Sequence, residues 1–181
     1  MNMNQDHPKI FVTGRFQADD MVKRLPHQLP VITLRSRRDP SLKDPSLAKL
    51  HLEVIVDDIE TPLEGFTVPS RPEAVAILSA WEKCQGQKIV VLHCEAGVSR
   101  SIAAALGILF LHGQGPAAVS DAAQTLFQVH PFGNPNKRLL EALLETRYDP
   151  SQARVIRAQL IEAYSALQEK KNRLNIPGQI F

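Results

Sequence analysis

"HCEAGVSRS", residues 93–101, separates two apolar runs, "KIVVL" at 88–92 and "IAAALGILFL" at 102–111. Within nine positions it packs a thiol (Cys94), a carboxylate (Glu95), a guanidinium (Arg100), two hydroxyls (Ser99 and Ser101) and a glycine (Gly97). Such a stretch is either a polar turn inside a buried strand–helix unit or a reaction site. Its flanks define the geometry in both cases. "KIVVLH" (88–93) has the near-continuous apolar character of a strand covered on both faces in a parallel sheet. "IAAALGILFLH" (102–112) is apolar nearly all the way round, as a central buried helix is.

Outward from this unit, "KIFVT" (9–13), "PVITL" (30–34) and "LHLEVIV" (50–56) read as further strands, short, rich in β-branched residues and bounded by polar residues or proline. "RPEAVAILSAWEKC" carries Ala74, Val75, Ile77, Leu78 and Trp81 at helical spacing, with Pro72 suited to a first turn. Gly113 and Gly115–Pro116 punctuate the chain after the central helix. Three more helices are expected at 117–130, 136–148 and 151–174. Strands alternating with helices, followed by helices alone, predict an α/β fold: a mainly parallel central sheet flanked by helices, with a C-terminal helical layer. One domain is expected over 1–181, with its core at about 9–146 and a helical extension at about 151–174. Residues 56–72 form a long irregular connection leaving a strand end. That is the side of an open α/β sheet where ligands bind, so this connection and the 93–101 stretch are expected to face one another.

The bulk composition narrows the partners. With 21 Lys+Arg against 19 Asp+Glu the net charge is only +2, which implies neither nucleic acid nor a membrane surface as partner. "RSRR" at 35–38 is a local patch, read as a solvated loop in preference to a substrate-steering element. Two cysteines are too few for a disulfide framework and have no metal-ligand spacing around them, so no metal or cofactor is expected. The first nine residues lack a secretory pattern and the longest apolar run is too short to span a bilayer, which makes the cytoplasm the expected compartment.

A strand-to-helix loop at residues 95–99 offers five consecutive backbone N–H groups that can curl around an anion, with the positive end of the following helix behind them. Gly97 permits the left-handed backbone such a cradle uses. Arg100 presents a planar fork matched to two phosphate oxygens. Cys94 sits where the same dipoles favour a thiolate, a nucleophile for phosphorus. Ser101 is placed to hydrogen-bond the sulfur as it leaves, and His93 to organise the loop. A departing alkoxide or phenoxide needs a proton, and Asp57 or Asp58 at the start of the long connection can supply it. Glu60 and Glu64 lie farther from the strand end. His51, His112 and His130 read as ordinary edge or surface histidines, and Cys84 as a structural thiol.

His93-Cys94, five residues, Arg100-Ser101 resembles the H-C-x5-R-[S/T] signature of the cysteine-dependent protein tyrosine phosphatases, and the fill "EAGVSRS" is most similar to the dual-specificity branch. An Asp-bearing connection before the motif and "NPNKRLLEAL" (134–143) after it extend the resemblance, which covers roughly residues 31–144. It implies a dual-specificity-phosphatase-like fold, Cys94 as nucleophile, Arg100 with the backbone of Glu95, Ala96, Gly97, Val98 and Ser99 as phosphate-binding groups, Asp58 rather than Asp57 as the acid, and Asn136 as a buttress of the loop. In that superfamily a protective disulfide joining Cys84 to Cys94 is an alternative to a free thiol. The absence of lysine from the loop argues against an inositol-lipid substrate.

The expected activity is therefore metal-independent hydrolysis of protein phosphotyrosine, and of phosphoserine or phosphothreonine within the same chemistry, through a phosphocysteine intermediate. A phosphorylated protein is the expected partner, with phosphate or a similar oxyanion in the site. Two alternatives stand beside it: the same chemistry on a small molecule or an RNA 5′ end, and a phosphopeptide-binding module with little turnover. A rhodanese-type sulfur carrier fits the Ser101 position and the Asp-bearing connection poorly.

Overall fold

The computed structural model describes residues 8–113 and 117–174. The first seven residues and the Gly115–Pro116 punctuation lie outside the described residues. In chain order the elements are β1 (Lys9–Gly14), α1 (Arg15–Arg24), β2 (Pro30–Arg35), β3 (Leu50–Ile55), α2 (Arg71–Lys83), β4 (Ile89–Cys94), α3 (Arg100–His112), α4 (Ala118–Val129), α5 (Lys137–Leu144) and α6 (Pro150–Leu174). The four strands form one sheet in the order β1-β4-β2-β3, every pair parallel.

The apolar continuity of β2 and β4 follows from cover on both faces. Val31 and Val91 turn to one side, where Ala18 and Val22 of α1 meet them. Ile32, Leu34, Val90 and Leu92 turn to the other, against Ile77 and Trp81 of α2 and Ile102 and Leu106 of α3. β4 lies between β1 and β2, and the registers Gly14↔Cys94 and Thr33↔His93 bring three strand ends together where the 93–101 stretch emerges. Position in the sheet thus gives the polar stretch rigid walls.

α3 is the central buried helix that its composition predicts, with residues 102–106 fully enclosed. Gly107 lets α5 approach it closely, since a Cβ there would lie 2.9 Å from Leu143 Cδ1 and 3.2 Å from Leu143 Cβ. α2 starts at a capping box, Ser70 with Glu73, and buries Ala74, Ile77, Ala80 and Trp81. Val75, expected on the core stripe, lies outside it and is exposed, because Ala80 completes the inward face.

α1 was not expected. Its sequence "RFQADDMVKR" buries only Ala18, Asp19 and Val22, and its aromatic residue Phe16 is 73% exposed, so no apolar period announces it. α6 is capped by Asp149, whose Oδ1 accepts the N–H groups of Ser151 (2.9 Å) and Gln152 (3.0 Å). It buries Ala153, Leu160 and Tyr164 in the main core. The Tyr164 hydroxyl donates to His130 O (2.6 Å) and Gln168 Nε2 to Gly133 O (3.1 Å), so α6 holds the 130–133 segment in place. Among the described residues, no helix is long and apolar enough to cross a membrane.

The α3–α5 contact makes a direct prediction. Gly107→Leu should lower the free energy of unfolding by about 1–3 kcal/mol through overpacking. That loss outweighs the roughly 1 kcal/mol of helix propensity the substitution gains. Urea titration checks this, and an unchanged or raised stability would contradict the close approach.

Candidate active site

Cys94 ends β4 and is 2% exposed. After it the chain turns through residues 95–99 and enters α3 at Arg100. Gly97 makes this turn in the left-handed region, φ +76°, pressed onto the β1–α1 junction. A Cβ at residue 97 would stand 2.4 Å from Gly14 N and 2.5 Å from Thr13 C, both backbone atoms that cannot step aside. Arg15 ties the same junction to the loop: its N–H donates to Glu95 O (3.1 Å) and its Nε to Glu95 Oε2 (3.0 Å). On the other flank Asn134 N–H donates to Val98 O (2.8 Å) and Asn136 N–H to Ser99 O (3.4 Å). Three of the loop's carbonyls, those of Glu95, Val98 and Ser99, are thus used by its surroundings. Its five N–H groups, residues 95–99, donate no hydrogen bond among the described residues, and they sit at the N-terminus of a 13-residue helix. An unpartnered row of amides at a positive helix end has the donors and the dipole to receive an anion.

Cys94 Sγ lies 3.2 Å from Ser101 Oγ, as the spacing of the two residues suggests. Both cysteines are free. Cys84 has a different setting: burial pushes its thiol up to about 11, where it is inert at neutral pH.

Arg100 is 4% exposed and held by one edge. Its Nη1 meets Asp39 Oδ2 (2.8 Å), Val56 O (3.1 Å) and Ser36 Oγ (3.4 Å). Its Nε makes no hydrogen bond among the described residues; the facing charge is Asp58 Oδ2 at 3.7 Å. Burial alone would raise the Asp39 carboxyl, but the Ser36 N–H (3.0 Å) and the Arg100 guanidinium outweigh it and hold Asp39 below the usual carboxylate range. Sequence reading missed Asp39 and Ser36, because nothing in "RSRRD" separates them from an ordinary charged loop. The solvated reading of that stretch suits Arg37 and Arg38, which are exposed. It fails for the buried Ser36 and for Arg35, whose guanidinium grips Glu53 from two nitrogens at 3.1 Å each.

The connection 56–70 lies over the loop. Asp58 Oδ1 accepts from Ser99 Oγ (2.6 Å) and from Asn136 Nδ2 (2.9 Å). Asp57 turns away, its Oδ2 accepting the Thr67 N–H (2.7 Å). Glu60 accepts the Lys137 N–H (2.8 Å), and Glu64 is exposed. Asn136 serves two elements at once, capping α5 through Leu139 N–H (2.8 Å) and donating to Asp58.

His93 is fully buried behind the loop. Its Nε2 is 2.7 Å from Thr33 Oγ1, which is also 2.8 Å from His51 Nε2, and its Nδ1 is 3.4 Å from Cys94 O. With Nδ1–H donating to the carbonyl, Nε2 accepts the Thr33 hydroxyl, and the Thr33 oxygen accepts His51 Nε2–H. A hydrogen-bonded row thus crosses β3, β2 and β4 and ends at the backbone of Cys94. His51 is therefore no ordinary edge histidine. Burial depresses both rings, His93 to about 4, the Cys94 carbonyl opposing the shift.

That neutral His93 makes folding pH-dependent. The unfolded chain takes up the proton near pH 6.5, the folded chain only near about 4. Its contribution is complete above the unfolded value and declines as pH falls towards the folded one, by on the order of 3 kcal/mol at the acid end. Urea titrations at about pH 7.5 and about pH 5 should show the wild type losing more stability than His93→Gln over that interval. Equal losses would contradict a neutral buried ring.

No protein-family model and no curated protein matches the chain. Solved structures do. The Yvh1 phosphatase domain from Chaetomium thermophilum aligns at TM-score 0.55 and 20% identity over 85% of this chain and 96% of its own. DUSP15 aligns at TM-score 0.55 and 20% identity over 86% and 92%, and the Cydia pomonella PTP-2 phosphatase at TM-score 0.54 and 22% identity over 76% and 85%. The architecture that holds the 93–101 loop at a central strand end is thus the fold of the cysteine-dependent tyrosine phosphatases, in its dual-specificity-like form.

Proposed function

We propose that this chain is a metal-independent phosphatase that hydrolyses phosphotyrosine monoesters in proteins through a phosphocysteine intermediate, with phosphoserine and phosphothreonine open to the same chemistry. One observation carries the reading: a buried thiol opens a loop whose five amides donate no hydrogen bond among the described residues, and the loop ends at a buried guanidinium whose hydrogen bonds among those residues all run through Nη1. The Nε–Nη2 edge of Arg100 is left for two oxygens of a phosphoryl group.

In the first step the Cys94 thiolate attacks phosphorus while the ester P–O bond breaks. The loop amides of residues 95–99 and Arg100 take the charge on the three equatorial oxygens, where the transition state spreads it. Asp58, protonated, gives its proton to the departing phenolate. Asn136 and Ser99 hold its Oδ1, which leaves Oδ2, on the Arg100 side, to carry that proton. In the second step water attacks the phosphocysteine, Asp58 takes a proton from it, and the S–P bond breaks to release phosphate. Ser101 then donates to the sulfur as it recovers its charge. Asp39 is a positioning residue: it touches no reacting atom and fixes the guanidinium plane from behind. A thiolate nucleophile and two free cysteines suit a reducing compartment, and we assign the cytoplasm.

Hydrolysis of an aryl phosphate in the presence of EDTA tests this reading. The wild type should turn over, and Cys94→Ser should be inactive. Asp58→Asn should lose about 10²- to 10⁴-fold in kcat with a poor leaving group. Asp39→Asn should lower kcat/KM by about 10- to 10²-fold, as misplacement of a clamp does. Full turnover by Cys94→Ser would remove the nucleophile from the scheme, and an unchanged Asp58→Asn rate would move the acid elsewhere.

A further inference from the structure

The ends of β2 and β3 and the segment 65–67 enclose a cavity of about 450 Å³ lined by Arg37, Arg38, Val56, Asp57, Phe66 and Glu73, among others. Part of its wall is formed by residues that hold Arg100. Ser36 and Val56, which also line it, are two of the three residues whose oxygens Arg100 Nη1 meets, and Asp58 follows Asp57 directly.

The cations here are unlike their neighbours. Arg15 pairs with Glu95, Arg35 with Glu53 and Arg100 with Asp39. Arg37 and Arg38 are exposed and form no ion pair among the described residues. The Arg38 guanidinium lies 6.0 Å from the Phe66 ring centroid, an aromatic support at the range of a cation–π contact. Two carboxylates also line the cavity, so its formal charges balance, but both are already engaged. Asp57 accepts the Thr67 N–H (2.7 Å), and Glu73 Oε2 accepts the Ser70 N–H (2.9 Å) and hydroxyl (2.8 Å). The cavity's unused hydrogen-bonding capacity is weighted to guanidinium donors, which match carboxylate and phosphate oxygens in pairs.

We propose that this cavity is a specificity subsite for an anionic side chain lying one or two positions from phosphotyrosine in a peptide substrate. The inference rests on the phosphatase reading for the anchor at Arg100. An extended peptide advances about 3.3–3.6 Å per residue, so a neighbouring side chain reaches a pocket that shares a wall with that anchor. Ile55 and Phe66 offer apolar surface to the stem of the side chain. A carboxylate and a second phosphoryl group have the chemistry the two guanidinium groups recognise.

Binding to the Cys94→Ser chain tests the subsite without requiring turnover. Fluorescein-labelled phosphotyrosine peptides would carry glutamate, phosphoserine or glutamine at the flanking positions, and Kd would be read by anisotropy. At low salt the anionic peptides should bind about tenfold tighter than the glutamine peptide, an advantage that salt weakens. The glutamate and phosphoserine arms show which anion is preferred. In Arg37→Gln/Arg38→Gln the advantage should fall towards one, each single substitution removing part of it. A ratio near one in the parent, or one untouched by the double substitution, overturns the subsite. If wild type leaves the peptides intact while the ratio depends on Arg37 and Arg38, the subsite stands and the hydrolytic reading falls. Hydrolysis without any preference has the opposite meaning, and peptides that do not bind at all overturn both.

Discussion

Gly97 lies against the backbone of Thr13 and Gly14, and the rest of the site depends on that contact. A buried strand that runs into a buried helix would ordinarily satisfy its amides within one element or the other. Here the chain turns through a left-handed residue packed so closely that a Cβ on it would stand 2.4 Å from Gly14 N. Among the described residues the amides of residues 95–99 remain undonated, while the carbonyls of Glu95, Val98 and Ser99 are bonded from outside. The loop is held by its acceptors and presents its donors. That division suits the turn to receive the anion of the proposed reaction.

Arg100 repeats the arrangement at a side chain. Asp39, Ser36 and the Val56 carbonyl hold one nitrogen, and Nε, with Asp58 Oδ2 3.7 Å away, makes no hydrogen bond among the described residues in a site where only 4% of the residue meets solvent. A buried guanidinium without partners would be costly, and one paired on both edges could not receive a ligand. Asp58 is managed in the same way, with Asn136 and Ser99 on one oxygen. Asn136 in turn belongs to α5, whose approach segment is held by α6 through Tyr164 and Gln168. The C-terminal helices thereby reach the site through a chain of contacts.

The parts of this arrangement legible in the sequence are those written in local pattern. The apolar runs around "HCEAGVSRS" announced β4 and α3, and alternating strands and helices announced the parallel sheet. The spacing of Cys94 and Ser101 anticipated their 3.2 Å contact. What escaped was written in contacts between distant segments. α1 has too little buried surface to show a period. Asp39 is set against Arg100 by the fold of a loop that looks merely charged. The row His51–Thr33–His93 exists only because β3, β2 and β4 are neighbours in space. Val75 shows the converse error, an apolar residue at helical spacing that the packing leaves outside.

In the proposed reaction Cys94 itself takes the phosphoryl group. Mass spectrometry of acid-quenched single-turnover mixtures with an aryl phosphate, followed by peptide mapping, tests it most directly. One transient phosphoryl group is expected, on the peptide containing Cys94 and absent from Cys84. Turnover with no phosphorylated protein, or with the phosphoryl group on any other residue, would contradict it.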